Sequence, residues 1–501
     1  MKLKLPRSTQ NWITLIGATI ALISFSMIVF LFTISVFWRT GHAYLGLVIY
    51  ILLPSILILG LLLIPIGMWF QIRRERKYGI SDRPPWPRVD LNENRHRNAF
   101  FVFAFGTMIL LFVSAVGSYE AFHFTESTTF CGTVCHDVMS PEFTAYQHSS
   151  HARVACVACH VGSGADWYVR SKLSGAYQVY STLANKYPRP IPTPVQNLRP
   201  ARETCETCHW PEKFYARKLR LESHYMFDED NTQWDIQMLM RIGAEHSARG
   251  LEEGIHWHIN PDVKIEYIAK GEKREKLPWV RYTNLKTGET TVYNDEDDPL
   301  DEAEIAAKEI REMDCMDCHN RPSHDYRPPI TFVNTAITAG EIPQELPEIK
   351  QLAIEICDAE YGSADSAMAA IKDKVYEFYK EDYPEIFEDD KDLVDKAVKG
   401  LQAAFSKNIF PDMKVRWDVY PNHIGHLDYD GCFRCHNDTH ASESGKAISM
   451  DCNLCHYITA QGTPGEMEYA SAGQPLEFMH PDGEEDWKDG LCTDCHSGVE
   501  P

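Results

Sequence analysis

Residues 131–160 read CGTVCHDVMSPEFTAYQHSSHARVACVACH and contain two cysteine pairs, each followed at once by a histidine. Five further pairs of this kind follow along the 501-residue chain. They are CETCH at 205–209, CMDCH at 315–319, CFRCH at 432–436, CNLCH at 452–456 and CTDCH at 492–496. The seven pairs use 14 of the 15 cysteines, and only Cys357 stands alone.

Six of these pairs have the C-x-x-C-H spacing of c-type haem attachment. Two thiols spaced in this way reach the two vinyl groups of one porphyrin, and the next imidazole turns beneath the ring to bind the iron. A structural zinc site also uses paired cysteines, but it does not require a histidine after every pair. The first pair has three residues between its cysteines, so it is either an attachment variant or a non-haem pair. The histidine that follows it favours attachment.

We therefore predict seven c-type haems, each held by two cysteines and one axial histidine. The attachment cysteines are Cys131, Cys135, Cys156, Cys159, Cys205, Cys208, Cys315, Cys318, Cys432, Cys435, Cys452, Cys455, Cys492 and Cys495. The axial histidines are His136, His160, His209, His319, His436, His456 and His496.

Twelve histidines lie outside these motifs and the membrane part, enough to give each haem a second histidine. Where two of them stand within three residues of each other, we expect one to bind iron and the other to be solvated or hydrogen-bonded to a propionate. The predicted second ligands are His151, His224, His258, His324, His426, His440 and His480.

Residues 11–37, 43–70 and 98–119 contain no charged side chain. Each stretch exceeds the roughly 20 residues that a helix needs to cross a bilayer, so we predict three transmembrane helices. Lysines and arginines cluster before the first stretch and between the second and third, which places these segments in the cytoplasm and the haem motifs across the membrane. A cleaved signal peptide is the alternative for the first stretch, but its apolar run is too long and no small-residue cleavage site follows it.

The net charge of −22 is unevenly distributed. Residues 1–98 have 12 basic and 4 acidic side chains, so the remainder of the chain carries −30. This charge argues against nucleic-acid binding and predicts a partner protein with a basic docking face.

Seven haems in residues 131–501 amount to about one per 53 residues, which makes a conventional aliphatic core implausible. We predict a mainly α protein with little regular structure, composed of three transmembrane helices and a multihaem domain with a small β-containing insertion. The expected segments are a membrane anchor (1–124), a first trihaem region (125–215), a mixed β/α insertion (216–314), a fourth haem segment (315–330), a helical insertion (331–415) and a C-terminal trihaem module (416–501).

The run from residue 129 to 209, through VACVACHVGSGADWYVRSKLSG and CETCHW, resembles the NapC/NirT (NrfH-like) family of membrane-anchored quinol dehydrogenases. Seven haems behind three helices also resemble the ImcH-type inner-membrane cytochromes. This resemblance implies an enzyme that takes electrons from the quinol pool, here menaquinol, and delivers them to a periplasmic c-type cytochrome or reductase in anaerobic or extracellular respiration. It implies a bacterial inner membrane as the location, with the haem domain in the periplasm.

The same resemblance implies roles for three residues. Met139 matches a possible methionine ligand of the first haem, Lys172 matches a quinol-site lysine, and His151 matches a histidine that reaches a neighbouring haem. The sequence departs from the family in its longer first motif and in lacking the acidic residue expected after Lys172. Asp137, Asp166 or Glu120 could take its place.

The apolar spans contain no histidine pairs that could hold haem within the bilayer, so quinol should meet the haems at the outer interface. Glu120 and His123, at the end of the third span, join Lys172 and Asp137 as candidates to accept protons or position the hydroxyl. Two other functions stay open. One is an electron-transfer subunit without its own quinol site, and the other is a terminal multihaem reductase, although no motif ends in the lysine of C-x-x-C-K.

Overall fold

The computed structural model describes residues 7–9, 11–38, 52–77, 90–134, 136–161, 165–194, 200–210, 214, 217–243, 253–488 and 490–500. The chain divides into two compact units, Met1–His136 and Asp137–Pro501. The finer segment boundaries given above stay predictions.

The first unit contains three long helices: α1 (Trp12–Trp38), α2 (Leu53–Lys77) and α3 (Asn94–Thr125). A π-helical turn, Phe130–Val134, follows them and includes the first motif cysteine. Within the described residues, two segments are long and apolar enough to cross a membrane, Trp12–Phe32 and Leu53–Lys77. They indicate a membrane anchor, whereas a third span within α3 stays a prediction.

Helices α1 and α2 approach each other closely at glycines. A Cβ atom added to Gly17 would lie only 2.7 Å from the carbonyl oxygen of Gly60. The Thr14 hydroxyl also donates to the Ile64 carbonyl across the pair, at 3.3 Å. Small residues and interhelical hydrogen bonds of this kind are typical of helices that associate in lipid, where apolar burial gives no advantage.

The second unit begins with helices that carry or follow the early motifs. They are α4 (His136–Gln147), α5 (Cys156–His160), α6 (Ala165–Leu183) and α7 (Ala201–Cys205). The later short helices are α8 (Glu302–Ala307) and α9 (Cys315–Cys318). Helix α8 is followed by the short strand β6 (Arg311–Glu312).

Two antiparallel sheets correct the prediction of little regular structure. One sheet has the order β1 (Arg217–Tyr225), β2 (Gln233–Arg241), β8 (His456–Thr463) and β9 (Glu466–Tyr469). The other has the order β6, β3 (Val263–Lys270), β4 (Lys276–Asn284), β5 (Thr290–Asp295) and β7 (His440–Ala441). Strands β1 to β6 lie within residues 216–314, for which the sequence predicts mixed β/α structure, whereas β7 to β9 lie in the C-terminal module.

A helical region, residues 329–408, also corrects the expectation that haems replace an aliphatic core. It consists of α10 (Pro329–Thr338), α11 (Ile349–Asp358), α12 (Ala364–Asp382), α13 (Pro384–Asp389) and α14 (Lys391–Asn408). Side chains from four of these helices share one hydrophobic cluster, in which Ile371, Val375 and Phe405 are fully buried. Cys357 lies in the same cluster and is also fully buried, as expected for a small hydrophobic residue.

Candidate haem-binding sites

Each of the six fully described attachment motifs forms a tight turn that gathers its three functional side chains. In four motifs the histidine N–H donates to the carbonyl of the first cysteine, at 2.8 Å in Cys205–His209, 2.8 Å in Cys315–His319, 3.1 Å in Cys432–His436 and 2.8 Å in Cys492–His496. This is one turn of helix, in which residues three and four apart lie on the same side. The local fold therefore presents both thiols and the imidazole together.

Every attachment histidine whose side chain the structure describes faces a second histidine. The six pairs, with the distance between ring centroids, are His160 and His324 at 6.1 Å, His209 and His151 at 6.1 Å, His319 and His256 at 6.2 Å, His436 and His258 at 5.8 Å, His456 and His426 at 6.2 Å, and His496 and His480 at 6.0 Å.

These separations fit an iron held between two imidazoles. Metal–imidazole bonds of about 2.0 Å on each side, with the ring radii added, place two axial rings about 6 Å apart. Among the described residues, no group of three or more His, Cys, Asp and Glu side chains converges as a structural zinc site requires. Paired histidines beside paired thiols therefore fit haem, because the porphyrin supplies the other iron ligands.

Backbone carbonyls orient several of the second histidines. The Nδ1 atom of His324 bonds the Glu142 carbonyl at 3.0 Å, that of His151 the Pro322 carbonyl at 3.0 Å, and that of His258 the Ile255 carbonyl at 2.8 Å. Because Nδ1 must donate its proton to a carbonyl, Nε2 keeps the lone pair that a metal needs. The tautomer is thus set before iron binds.

Burial also favours the neutral form of His324, His426 and His258. It lowers the pKa of His324 to about 4 and that of His426 to about 4. It lowers the pKa of His258 as well, with the neighbouring His436 acting in the same direction. A neutral ring is required of an iron ligand, since an imidazolium has no free lone pair.

The second, third and fourth motifs lie next to one another. Burial raises the pKa of Cys159 in the second motif, and Cys208 of the third motif raises it further. Cys205 of the third motif shares a hydrogen bond with Cys315 of the fourth, which raises the pKa of Cys205 and lowers that of Cys315. Thiols of consecutive motifs are therefore within interaction distance.

The same continuity holds from the fourth motif to the seventh. Burial raises the pKa of Cys318 to about 12, with a contribution from Cys432 of the fifth motif. Burial raises the pKa of Cys455 in the sixth motif to about 11, again with a contribution from Cys432. His426, which faces the sixth motif, has its Nδ1 atom 3.6 Å from Sγ of Cys492 in the seventh. Six motifs thus form an unbroken series in sequence order.

Comparison with known proteins places this arrangement in a family. Residues 93–190 match the family model for the N-terminal region of the NapC/NirT cytochrome c family. The cytochrome c-type protein ImcH of Geobacter sulfurreducens is 44% identical over 492 residues, which cover 97% of this chain and 95% of that protein. The chain belongs to the ImcH-like members of the NapC/NirT cytochrome c family.

A shorter relative supports the same assignment. The cytochrome c-type protein NrfH of Wolinella succinogenes is 28% identical over 121 residues, which cover 23% of this chain and 68% of that protein. No solved structure matches the chain. Membership of a c-type cytochrome family implies covalently bound haem and a redox role.

Sequence position identified most, but not all, of the second histidines in this NapC/NirT chain. His151, His258, His324, His426 and His480 each face an attachment histidine, as given above, so their assignment as ligands stays a supported prediction. The sequence reasoning missed His256, because it took one ligand from each close pair of histidines. His256 and His258 lie on one 3₁₀ turn, Ile255–Ile259, and face different motifs. On such a turn, residues two apart point to different sides.

The structure corrects the prediction for His440. This ring is only 1% exposed, and both nitrogens are occupied: Nδ1 bonds Oδ1 of Asn437 and Nε2 bonds the Leu277 carbonyl, each at 2.8 Å. It supports strand β7 and has no atom left for iron. His224 faces none of the six described attachment histidines, and its Nε2 lies 3.8 Å from the Glu222 carboxylate.

The first haem and the quinol residues are less completely described. Cys135 and the side chains of His136, Asp137 and Lys172 lie outside the described residues, so the ligands of the first haem and the quinol site stay predictions. Met139 lies on α4, half-buried. Glu120 and His123 lie near the end of α3 and are exposed.

A buried charge network, which sequence reasoning missed, holds the fourth and fifth motifs together. Asp317, inside CMDCH, is 2% exposed and accepts hydrogen bonds from Tyr267 at 2.6 Å, Arg274 at 2.8 Å and Arg311 at 3.0 Å. Arg434, inside CFRCH, donates to the Asp317 carbonyl at 2.8 Å. The available signal was a charged residue between the cysteines of each motif. Burying a carboxylate is tolerated only with such partners.

Proposed function

We propose that this chain is a membrane-bound quinol dehydrogenase that oxidises quinol, of the menaquinol type, at the periplasmic face and passes the electrons along seven c-type haems. The receiving protein is a periplasmic cytochrome or reductase. The N-terminus and the Arg-rich segment 73–97 are cytoplasmic, and α3 contains the third span. The observation that carries the proposal is the unbroken series of motifs, each with a facing pair of histidines.

The histidine pairs favour an electron carrier over a terminal reductase. When bound, each haem supplies one-electron transfer. A terminal reductase needs an open iron position for its substrate, whereas the two facing imidazoles of each pair would both bind the iron and leave no such position. Six of the seven motifs have this arrangement, so the described chain is suited to carrying electrons.

The entry site proposed for quinol is at the membrane surface. Glu120 and His123 lie on the last turns of α3, Asp137 follows the first motif in sequence, and Lys172 follows the second. A quinol confined to lipid can reach such residues without entering water, and carboxylate, imidazole and amine groups are suited to taking its protons. The protons and electrons would leave on the same side, so this step builds no membrane potential.

We propose that electrons leave the protein from the haem of the seventh motif, the last in the series. Exposed acidic side chains lie close to this motif in sequence: Asp482, Glu484, Glu485, Asp486 and Asp494. This charge favours an acceptor with a lysine-rich face, whose docking weakens as salt rises.

Anaerobic mixing of the purified holoprotein with a menaquinol analogue tests this function. Full haem reduction without any partner protein is expected. Lys172→Ala should slow this reduction while leaving reduction by dithionite unchanged, and Arg170→Ala, two residues earlier on α6, serves as the matched control. No reduction by the analogue would instead support an electron-transfer subunit whose quinol site lies on another protein.

A further inference from the structure

Helix α6 (Ala165–Leu183) exposes its apolar side. Leu173, Tyr177, Tyr180 and Leu183 are 68%, 67%, 52% and 77% exposed. Their spacing of four, three and three residues places them along one side of the helix. Helices at the surface of soluble proteins bury such a stripe against their own core. This one does not.

The opposite side of α6 is polar, and its side chains form hydrogen bonds within the helix. The Gln178 amide donates to the Ser174 hydroxyl at 3.3 Å, and the Thr182 hydroxyl donates to the Gln178 carbonyl at 2.9 Å. Ser181, between these residues and the apolar stripe, is only 6% exposed. The helix is therefore amphipathic, with its apolar side presented outward.

The charge around α6 differs from that of the rest of the second unit. Residues 167–202 contain six lysines and arginines and no aspartate or glutamate, although residues 99–501 carry a net charge of −30. Lys186 and Arg189, just beyond the helix, are exposed and lie beside tyrosines: Lys186 donates to the Tyr180 hydroxyl at 3.0 Å, and the Arg189 guanidinium lies 4.9 Å from the centre of the Tyr187 ring.

We propose that α6 binds the surface of the lipid bilayer. Its Leu and Tyr side chains insert among the headgroups, and Lys186 and Arg189 contact the phosphates of anionic lipids. An apolar stripe, tyrosines and flanking basic residues are the features of helices that lie in the membrane interface. The bilayer is already available to this chain, because α1 and α2 anchor it there. The proposal concerns lipid binding alone and stands whether or not the chain oxidises quinol.

Photocrosslinking tests the contact directly. The full-length holoprotein is placed in nanodiscs that contain phosphatidylglycerol and phosphatidylcholine, with p-benzoylphenylalanine at position 177 or, as the matched control, at position 178 on the polar side. Illumination should give a protein–phospholipid adduct by mass spectrometry at position 177, in several-fold greater yield than at position 178.

Other occupants of the stripe give other products. An adduct between position 177 and a haem-bearing peptide of the same chain would show that a haem covers α6. An adduct with a second copy would show a protein interface. Either product in place of the lipid adduct, or equal lipid yields at both positions, would overturn the proposal.

Hydrogen exchange measures the contribution of the basic residues. Amides of α6 should exchange more slowly in nanodiscs of the anionic lipid mixture than in phosphatidylcholine alone. Lys186→Gln with Arg189→Gln should reduce this protection by about five-fold per charge, since each basic residue near an anionic surface contributes about 1 kcal/mol. Lys396→Gln with Lys399→Gln, on α14, is the control and should leave it unchanged. If the amides of α6 exchanged at the same rate in anionic and in neutral nanodiscs, the role of these two residues would be contradicted.

Discussion

The helical region, residues 329–408, and the C-terminal module, residues 416–501, build their interiors in different ways. In the helical region, Ile371, Val375 and Phe405 are fully buried, and each such side chain contributes about 1.5–3 kcal/mol. The C-terminal module has no α-helix among its described residues, and Leu454 and Tyr469 are 40% and 71% exposed. Apolar burial organises the first region. The second has fewer buried apolar side chains, so we infer that it depends more on histidine pairs and on the cofactors they are placed to bind.

Withholding haem should produce the largest difference in stability between the two regions. In a chain produced without haem attachment, amides of the C-terminal module outside strands β7 to β9 should exchange at nearly unprotected rates, because the paired histidines and thiols then have nothing to join them. Amides of α11, α12 and α14 should keep their protection. Hydrogen exchange with mass spectrometry measures both, with the holoprotein as the reference. Equal loss in the two regions would show that the helical core also depends on haem.

A substitution in the helical core should destabilise the helical region and leave the haem sites unchanged. Leu401 is 1% exposed within the helical cluster, and Leu401→Ala should lower the free energy of unfolding of this region by about 2–5 kcal/mol through the cavity it leaves. Denaturant-dependent hydrogen exchange measures this change. The visible spectrum of the haems should stay as in the wild type, and Lys399→Ala, on the exposed side of α14, is the control. A changed haem spectrum in Leu401→Ala would show that the stability of the helical core affects the haem sites.

Lys350 gives the helical region a pH dependence. Its side chain is 2% exposed and donates to the Tyr225 carbonyl, and burial lowers its pKa from 10.5 to about 7. Below pH 7 the folded chain holds a buried cation and bears its full cost, and as pH rises from 7 towards 10.5 this cost disappears.

Replacing this lysine should therefore stabilise the region by an amount that depends on pH. We expect Lys350→Met to raise the free energy of unfolding by on the order of 1–3 kcal/mol at pH 6.5 and by less at pH 9.5. Denaturant titrations of both proteins at the two pH values measure the difference. A gain that is the same at both values would mean that folding does not lower the pKa of this amine.

The smallest expected effect concerns a single haem. His324→Leu removes the histidine that faces His160, so one haem should change from the low-spin to the high-spin state. His440→Leu is the matched control. The His440 ring bonds Asn437 and Leu277 and no attachment histidine, so this substitution should leave all haem signals unchanged. Electron paramagnetic resonance distinguishes the two states. A high-spin signal from His440→Leu and none from His324→Leu would reverse the assignment.

Position in the sequence does not reveal which motif a second histidine faces. His324 and His440 follow their nearest motifs by five and four residues, yet only His324 faces an attachment histidine, and that histidine belongs to a different motif, the second. His256 was missed because two ligands can share one turn. Local sequence also did not predict strand β8, because its partner β2 lies more than 200 residues earlier in the chain.

The sequence alone determined the number and nature of the attachment motifs, because two thiols and an imidazole that bind one porphyrin must lie within a single turn of chain. It also determined the apolar segments, since crossing a bilayer is a matter of length and composition. Only the tertiary structure decided which histidine faces which motif, the order in which the motifs touch, and the existence of an aliphatic core beside them. These depend on contacts between residues far apart in the chain, which no local pattern encodes.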